Sequence, residues 1–223
     1  MIHFIYPWTE KTRPWSKMNT LAVKLARKHY PDKKIIIWTN WLQGVPDVGH
    51  VIVRQTELPL SLHKYPQYIS DYFRLKLLYE QGGMYLDTDM LLLKPVPEDF
   101  FLSWESHNLQ SICNAIIQAE PGNAFIKEWL DAMPEAMESN TWAYGGVVLP
   151  AELSRKYKLK LYDSTFACPL DLSLPWMFDP DLKEQARQKC ADSYAIHGFE
   201  TYWRDYNQDA ENNFFHELWK ENQ

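Results

Sequence analysis

Short apolar runs alternate with longer amphipathic stretches over the first hundred residues. The opening 1-MIHFIY-6 reads as a short buried strand, and 35-IIIWT-39 and 50-HVIVRQ-55 read as a second and a third strand. Between the first two, Ser16 stands at an N-cap position. Met18, Leu21, Ala22, Leu25 and Ala26 follow at helical spacing until Pro31 ends the pattern. Pro59 and Pro66 punctuate a loop, and from Pro66 to Gln81 the spacing is helical again, with Ile69, Tyr72, Phe73, Lys76 and Tyr79 in register. Gly82 suits the C-terminal cap of that helix. The chain then runs directly into 82-GGMYLDTDMLLLKP-95, an apolar strand interrupted by two carboxylates. A β-α-β-β opening of this kind predicts an α/β fold.

Beyond residue 100 the periodicity weakens. Residues 111-SICNAIIQA-119, 158-KLKLYD-163 and 193-SYAIH-197 read as strands. Residues 122-GNAFIKEWLDAM-133 read as a helix with Phe125, Trp129 and Leu130 inward, and 211-ENNFFHELWKE-221 as a terminal amphipathic helix. Pro150, Pro169, Pro175 and Pro180 mark a loop-rich second half, and long loops at one end of a sheet commonly carry binding function.

Composition narrows the ligand. The 223 residues favour one domain, since a chain of this length buries roughly 70% of its unfolded surface. Ten Trp and thirteen Tyr supply both an aromatic core and rings for a pocket that takes flat ligands such as bases and sugars. A net charge of −6 without a Lys/Arg run argues against nucleic acid. A phosphate-bearing ligand would then need something other than bulk charge to hold it, and a metal would serve. Cys113, Cys168 and Cys190 are odd in number and show no zinc-type spacing, so buried, reduced thiols in a cytosolic compartment are expected. No apolar run approaches a membrane span and no signal peptide is visible. The expected location is cytoplasmic, with contact at the inner face of the membrane through the acceptor.

Asp87 and Asp89 carry the chemistry. Side chains at i and i+2 of a strand share a face, so both carboxylates can hold one cation where the strand ends or bends. Hard oxygen ligands suit Mg²⁺ or Mn²⁺, and the coordination positions they leave open suit diphosphate oxygens. A turn in which both carboxylates cap backbone amides is the competing reading. Gly83, in the glycine pair before Tyr85, lets a backbone approach a ligand closely. Upstream, Asp71 and Arg74 stand at i and i+3 on one helix face. An arginine there offers a fork to a diphosphate, and an aspartate can accept hydrogen bonds from sugar hydroxyls. His197 ends an apolar strand beside Gly198 and can point into a cleft, where a neutral imidazole is a good Mn²⁺ ligand. The other histidines, at 3, 29, 50, 63, 107 and 216, show no spacing for a second metal site.

The stretch 71-DYFRLKLLYEQGGMYLDTDMLLLKP-95 resembles the DxD sugar-binding region of family 32 glycosyltransferases. That group includes yeast mannosyltransferases and bacterial capsular polysaccharide enzymes, and the same D-x-x-R…GG-x-Y-x-D-x-D spacing occurs in clostridial glucosylating toxins. The resemblance implies a GT-A fold, α/β and Rossmann-like with a mixed central sheet. It also implies a nucleotide-sugar donor with UDP or GDP, a divalent metal and retention of anomeric configuration. Looser matches place Tyr6 where an aromatic ring stacks on the donor base, Asn114 near the donor, and Gly145 and Gly146 where the family often has Gly-Pro. The segment 197-HGFETYW-203 resembles the family's C-terminal motif, which implies that His197 completes the metal site and sets Trp203 beside the substrate.

The expected enzyme is a metal-dependent hexosyltransferase serving a glycan or glycolipid acceptor in surface polysaccharide synthesis. Residues 1–100 would bind the donor, and 101–223 would supply the acceptor side and the metal-completing segment. Asp71, Arg74 and Asp89 would act catalytically. A glycan-binding protein with a structural Ca²⁺, a nucleotide-sugar hydrolase and a toxin-like protein glucosyltransferase are the alternatives.

Overall fold

The apolar runs of the first hundred residues assemble side by side. The computed structural model describes residues 1–8, 13–55, 66–106, 110–139, 141, 143–159, 161–203, 205–206 and 208–223. In chain order the elements are β1 (Ile2–Tyr6), α1 (Lys17–His29), β2 (Ile35–Thr39), β3 (Ile52–Gln55), α2 (Pro66–Gln81), β4 (Gly83–Leu86) and β5 (Met90–Leu92). There follow β6 (Trp104–Ser106), β7 (Ser111–Ile112), β8 (Ile116–Ala119), α3 (Ala124–Glu138) and α4 (Leu149–Tyr157). The last are α5 (Lys183–Cys190), β9 (Ala195–His197), α6 (Glu200–Trp203) and α7 (Phe214–Lys220). The loop containing Pro59 and His63 lies outside the described residues, as does His107.

A five-stranded sheet runs in the order β3-β2-β1-β4-β8. The first four strands are parallel and β8 is antiparallel to β4, so the sheet is mixed. All five residues of β1 and of β2 are buried, as expected for parallel strands covered on both faces. Alternation along β1 divides the core. Ile2, Phe4 and Tyr6 pack with Met18, Leu21 and Leu25 of α1, while Ile5 packs with Leu75 and Leu78 of α2 and Trp129 of α3. Ser16 and Asn19 close a reciprocal capping box at the start of α1, each side chain accepting from the other's backbone N–H at 3.1 Å.

Three elements differ from the sequence pattern. Along α2 the stripe of Tyr72, Phe73, Lys76 and Tyr79 is half-buried or exposed, and the buried face carries Tyr68, Asp71, Leu75 and Leu78, with Arg74 and Leu77 alongside. Two charged residues occupy core-facing positions, so hydrophobicity alone rotates the predicted face. The single strand expected over 111–119 is two short strands, β7 and β8, separated by a turn at Asn114. The strand expected over 158–163 reduces, among the described residues, to one bridge between Ser103 and Tyr162. Helices α4 and α5 went unforeseen because Glu, Lys, Arg and Gln dilute their apolar stripes.

Candidate active site

β4 stops at Leu86 and β5 begins at Met90, so Asp87, Thr88 and Asp89 form a turn rather than the middle of a strand. Asp87 N–H donates to Ala115 O (2.8 Å) and Met90 N–H donates back to Asp87 O (3.0 Å). The turn sits at the carboxyl end of the parallel strands, where open α/β sheets bind ligands. β5 pairs antiparallel with β9 in the register Met90↔His197, which brings His197 beside the turn.

One donor atom from each of Asp87, Asp89 and His197 lies within 4.8 Å of the other two. His197 Nε2 is 3.6 Å from Asp89 Oδ1. The backbone N–H of Glu200 donates to Asp89 Oδ2 (2.9 Å). Burial works against the Asp89 anion, but His197 and the Glu200 N–H hold its pKa down to about 2. Burial likewise opposes charge on His197, and Asp89 overrides it, lifting the imidazole to about 10. The ordinary histidine value near 6.5 does not hold beside this carboxylate. Two carboxylate oxygens and one imidazole nitrogen at this spacing fit Mn²⁺ or Mg²⁺, with positions left for ligand oxygens.

Arg74 links this cluster to a second one. Its Nη2 lies 2.8 Å from Asp71 Oδ1 and 3.3 Å from Asp87 Oδ1, and its Nη1 donates to Asn114 O (2.6 Å). Asn114 Nδ2 donates to Asp71 Oδ1 (2.9 Å). The ring of Tyr85 lies 4.4 Å from the guanidinium carbon, and its hydroxyl donates to Asp87 and stands 3.3 Å from Ser70 Oγ. Burial opposes the charge on Arg74, but Asp87, Tyr85 and Asp71 push its pKa further up. Burial lifts the Asp71 carboxyl to about 6 against the pull of Arg74. Both partners of this ion pair shift upward: burial, with repulsion from Asp87 added, outweighs the pull of Arg74 on Asp71, while the same carboxylates favour the charge on Arg74.

These groups open onto a cleft of about 250 Å³ lined by Asp71, Arg74, Asp87, Asp89, Asn114 and His197, with Gly146 on its wall. A Cβ on Gly146 would stand 2.6 Å from Asp71 Oδ2 and 2.7 Å from Asn114 Nδ2, so the glycine is what lets the backbone lie against both. The other expected residues lie elsewhere. Gly145 is buried against Met133 and Ala136 and accepts a hydrogen bond from Trp129 Nε1 (2.7 Å). Gly83, at φ +98, stands at the far end of β4, where a Cβ would meet Met1 O at 2.5 Å. Its close approach is to the chain itself and not to the cleft. Tyr85 is fully buried beneath Asp87 and positions it. The ring of Tyr6 is also fully buried, edge-on to Trp15 at 4.9 Å, with its hydroxyl donating to Arg13 O (2.7 Å). Trp203 packs against the core, outside the cleft.

Several further residues line the cleft. Trp8 follows the end of β1 and lies 5.3 Å from the Arg13 guanidinium. Arg13 pairs with Glu200 at 2.7 Å and donates to Thr201 Oγ1 (3.1 Å), joining the N-terminal loop to α6. Glu105 of β6 and Tyr202 of α6 complete the rim. A signal existed for Trp8, an aromatic just past the carboxyl end of a parallel strand. None existed for Glu105 or Glu200, which look like ordinary surface acids.

Residues 16–117 match the family described as "Glycosyltransferase sugar-binding region containing DXD motif". "Glucan organizing enzyme 1" of Cryptococcus neoformans var. grubii is 27% identical over 175 residues, covering 68% of this chain and 46% of that protein. "Alpha-1,4-N-acetylglucosaminyltransferase" of Homo sapiens is 31% identical over 86 residues, covering 39% of this chain and 25% of its own length. The matched part thus spans less than half the length of either curated relative. The apo-form glycosyltransferase GlyE of Streptococcus pneumoniae superposes with a TM-score of 0.52 at 13% identity, covering 99% of this chain and 59% of that one. The superposition and the mixed five-stranded sheet make the fold GT-A. Residues 16–117, with the D-T-D turn and the Asp71–Arg74 pair among them, are similar to glycosyltransferase sugar-binding regions that contain a DXD motif.

Proposed function

We propose that this protein is a metal-dependent, retaining hexosyltransferase that takes its sugar from a UDP- or GDP-linked donor and passes it to a glycan or glycolipid acceptor. The observation that carries the reading is the convergence of Asp87, Asp89 and His197 donor atoms within 4.8 Å, next to a buried arginine. The names of the matched relatives, a glucan-organizing enzyme and a glycosyltransferase, support the same chemistry. Among the described residues no helix is long and apolar enough to cross a membrane, so a lipid-linked acceptor would be met at a surface.

Asp87, Asp89 and His197 would hold Mn²⁺ or Mg²⁺, which supplies positive charge to a departing nucleoside diphosphate. Arg74 holds Asp87 in place and adds its own positive field to the same side of the cleft. Asp71, fixed by Arg74 and Asn114, presents its carboxylate to sugar hydroxyls beside Gly146. The Glu200 N–H, fixed at the start of α6, orients Asp89. Trp8 and Tyr202 give the rim aromatic faces suited to base or sugar rings.

Calorimetric titration with UDP and GDP, with and without Mn²⁺, tests the donor half of this reading. One nucleotide should bind only when Mn²⁺ is present. Incubation with the matching nucleotide-sugars and a panel of glycans should then yield a glycosylated product. Free sugar released equally with and without acceptor would replace transfer by hydrolysis, and metal-independent nucleotide binding would remove the carboxylate site from the mechanism.

A further inference from the structure

Behind the carboxylate turn lies a second set of metal-ligating atoms. Cys113 and Cys168 are both free thiols and both buried, at 0% and 6% exposure. One donor atom from each of Cys113, Cys168 and His197 lies within 4.8 Å of the other two. The fold explains the meeting. Cys113 follows β7, and its N–H donates to Ser103 O (2.9 Å), while His197 donates its backbone N–H to Ala167 O (2.9 Å), which sets β9 against the residue preceding Cys168. The gaps in sequence are long, so no Cys-x-x-Cys spacing betrays the cluster.

His197 has two faces. Its Nε2 looks toward Asp89, while its Nδ1 is buried with no hydrogen-bond partner. A metal-bound histidine ordinarily donates its other ring N–H to a carbonyl or carboxylate, and none is bonded here. The Cys168 thiol donates a hydrogen bond to the Cys113 sulfur, so the two sulfurs already face each other. Two thiolates and an imidazole are soft ligands, the set that selects Zn²⁺ over Mg²⁺ or Mn²⁺.

We propose that Cys113, Cys168 and His197 form a second cation site for a soft divalent ion of the Zn²⁺ type, and that this site and the Asp87–Asp89 site use His197 in turn. A neutral imidazole has one nitrogen lone pair, the other nitrogen carrying the proton, so it can ligate one ion at a time. A soft ion on the thiols therefore takes His197 away from the carboxylates. Each thiol gives up its proton to solvent as the ion binds. Zinc at low occupancy then acts as an antagonist of the hard cation from inside the core, without entering the sugar cleft. The antagonism rests on the carboxylate-site reading; the thiol site itself does not.

Reduced, metal-stripped protein is titrated with Co²⁺ alone, with no nucleotide present. A thiolate-to-cobalt charge-transfer absorption should grow and saturate at one equivalent, and Zn²⁺ should then abolish it. Asp87→Asn and Cys190→Ser should keep the band, whereas Cys113→Ser and Cys168→Ser should each lose or shift it. In a parallel arm, Mn²⁺ binding is followed by electron paramagnetic resonance. One equivalent of Zn²⁺ should weaken it roughly tenfold or more in the wild type and leave it unchanged in Cys113→Ser. The wild-type cobalt titration needs no variant to fold, and absence of the band overturns the thiol site. A band that survives both cysteine substitutions does the same. A band with Mn²⁺ affinity untouched by Zn²⁺ overturns the sharing of His197. A band in a protein that binds no Mn²⁺ at all upholds the thiol site and rejects the carboxylate reading instead.

Discussion

Gly146 lies against Asp71 so closely that an added Cβ would stand 2.6 Å from its Oδ2. The contact fixes one wall of the cleft at backbone thickness. Gly146→Ala should leave the protein folded, with a loss of about 1–3 kcal/mol by overpacking. It should displace Asp71 and Asn114 together, because the new methyl meets both. Donor affinity measured by calorimetry should fall by about tenfold, or about 1.4 kcal/mol. Wild-type affinity with lowered stability would show that donor binding does not need Asp71 where it now stands.

Arg74 bonds to three groups from three elements: Asp71 on α2, Asp87 after β4 and Asn114 before β8. A lysine keeps the charge and loses the fork. Arg74→Lys should lower unfolding stability by about 1–3 kcal/mol, the range for lost hydrogen bonds to charged groups. Arg74→Ala, which strands the buried Asp71 and the half-buried Asp87 carboxylates, should cost more, about 3–5 kcal/mol. Urea unfolding of the three proteins gives the comparison, and equal midpoints for Lys and Arg would refute a bridging role.

Tyr85 separates two effects. Its ring lies under the Arg74 guanidinium and its hydroxyl donates to Asp87. Tyr85→Phe keeps the first contact and removes the second. Mn²⁺ affinity should weaken by about tenfold while the far-ultraviolet circular dichroism stays unchanged. If Mn²⁺ binds the variant as tightly as the wild type, the hydroxyl does not position Asp87.

A pH response should come from the opposite end of the sheet. His3 is fully buried, with Nε2 3.1 Å from Gly82 O and Nδ1 accepting from Trp38 Nε1 (3.2 Å). Both contacts suit a neutral ring. Burial lowers its pKa from 6.5 to about 4. Between those values the unfolded chain binds a proton that the native state does not, so stability falls as pH drops from 6.5 toward about 4. The full shift corresponds to about 3 kcal/mol. Carboxylates titrate in the same window, so the quantity to measure is the difference between wild type and His3→Gln. The variant should show a shallower decline by up to one proton, and parallel curves would assign the acid sensitivity elsewhere.

The sheet was legible in sequence because β1, β2 and β4 are apolar runs between strong punctuation, with Ser16, Pro31 and Gly82 marking helix ends. The clustering of Asp87 with Asp89 and Arg74 was legible for a similar reason, since these residues are close along the chain. What hid was everything assembled across long separations. Tyr6 and Trp8 are two residues apart, and only the end of β1 decides which ring faces the cleft. Trp203 and Tyr202 exchange places in the same way on a four-residue helix whose phase no periodicity reveals. Cys113 and Cys168 looked inert because spacing rules see only neighbours. Gly83 carried a plausible local meaning, close approach, but the partner is Met1.

The pairing of β5 with β9 has a consequence for the order in which the protein comes into being. Every pairing of the five-stranded sheet is available once residue 119 has left the ribosome. Asp89 must wait a further 78 residues for His197 and slightly longer for the Glu200 N–H, a contact spanning 111 positions. Asp89 therefore spends the interval without its His197 and Glu200 partners, while Arg74 already stands beside Asp87. A chain ending at Cys190 would still contain all five sheet strands and both aspartates, yet lack His197. Premature termination would thus yield a product with the D-T-D turn but without the His197 and Glu200 groups that face it.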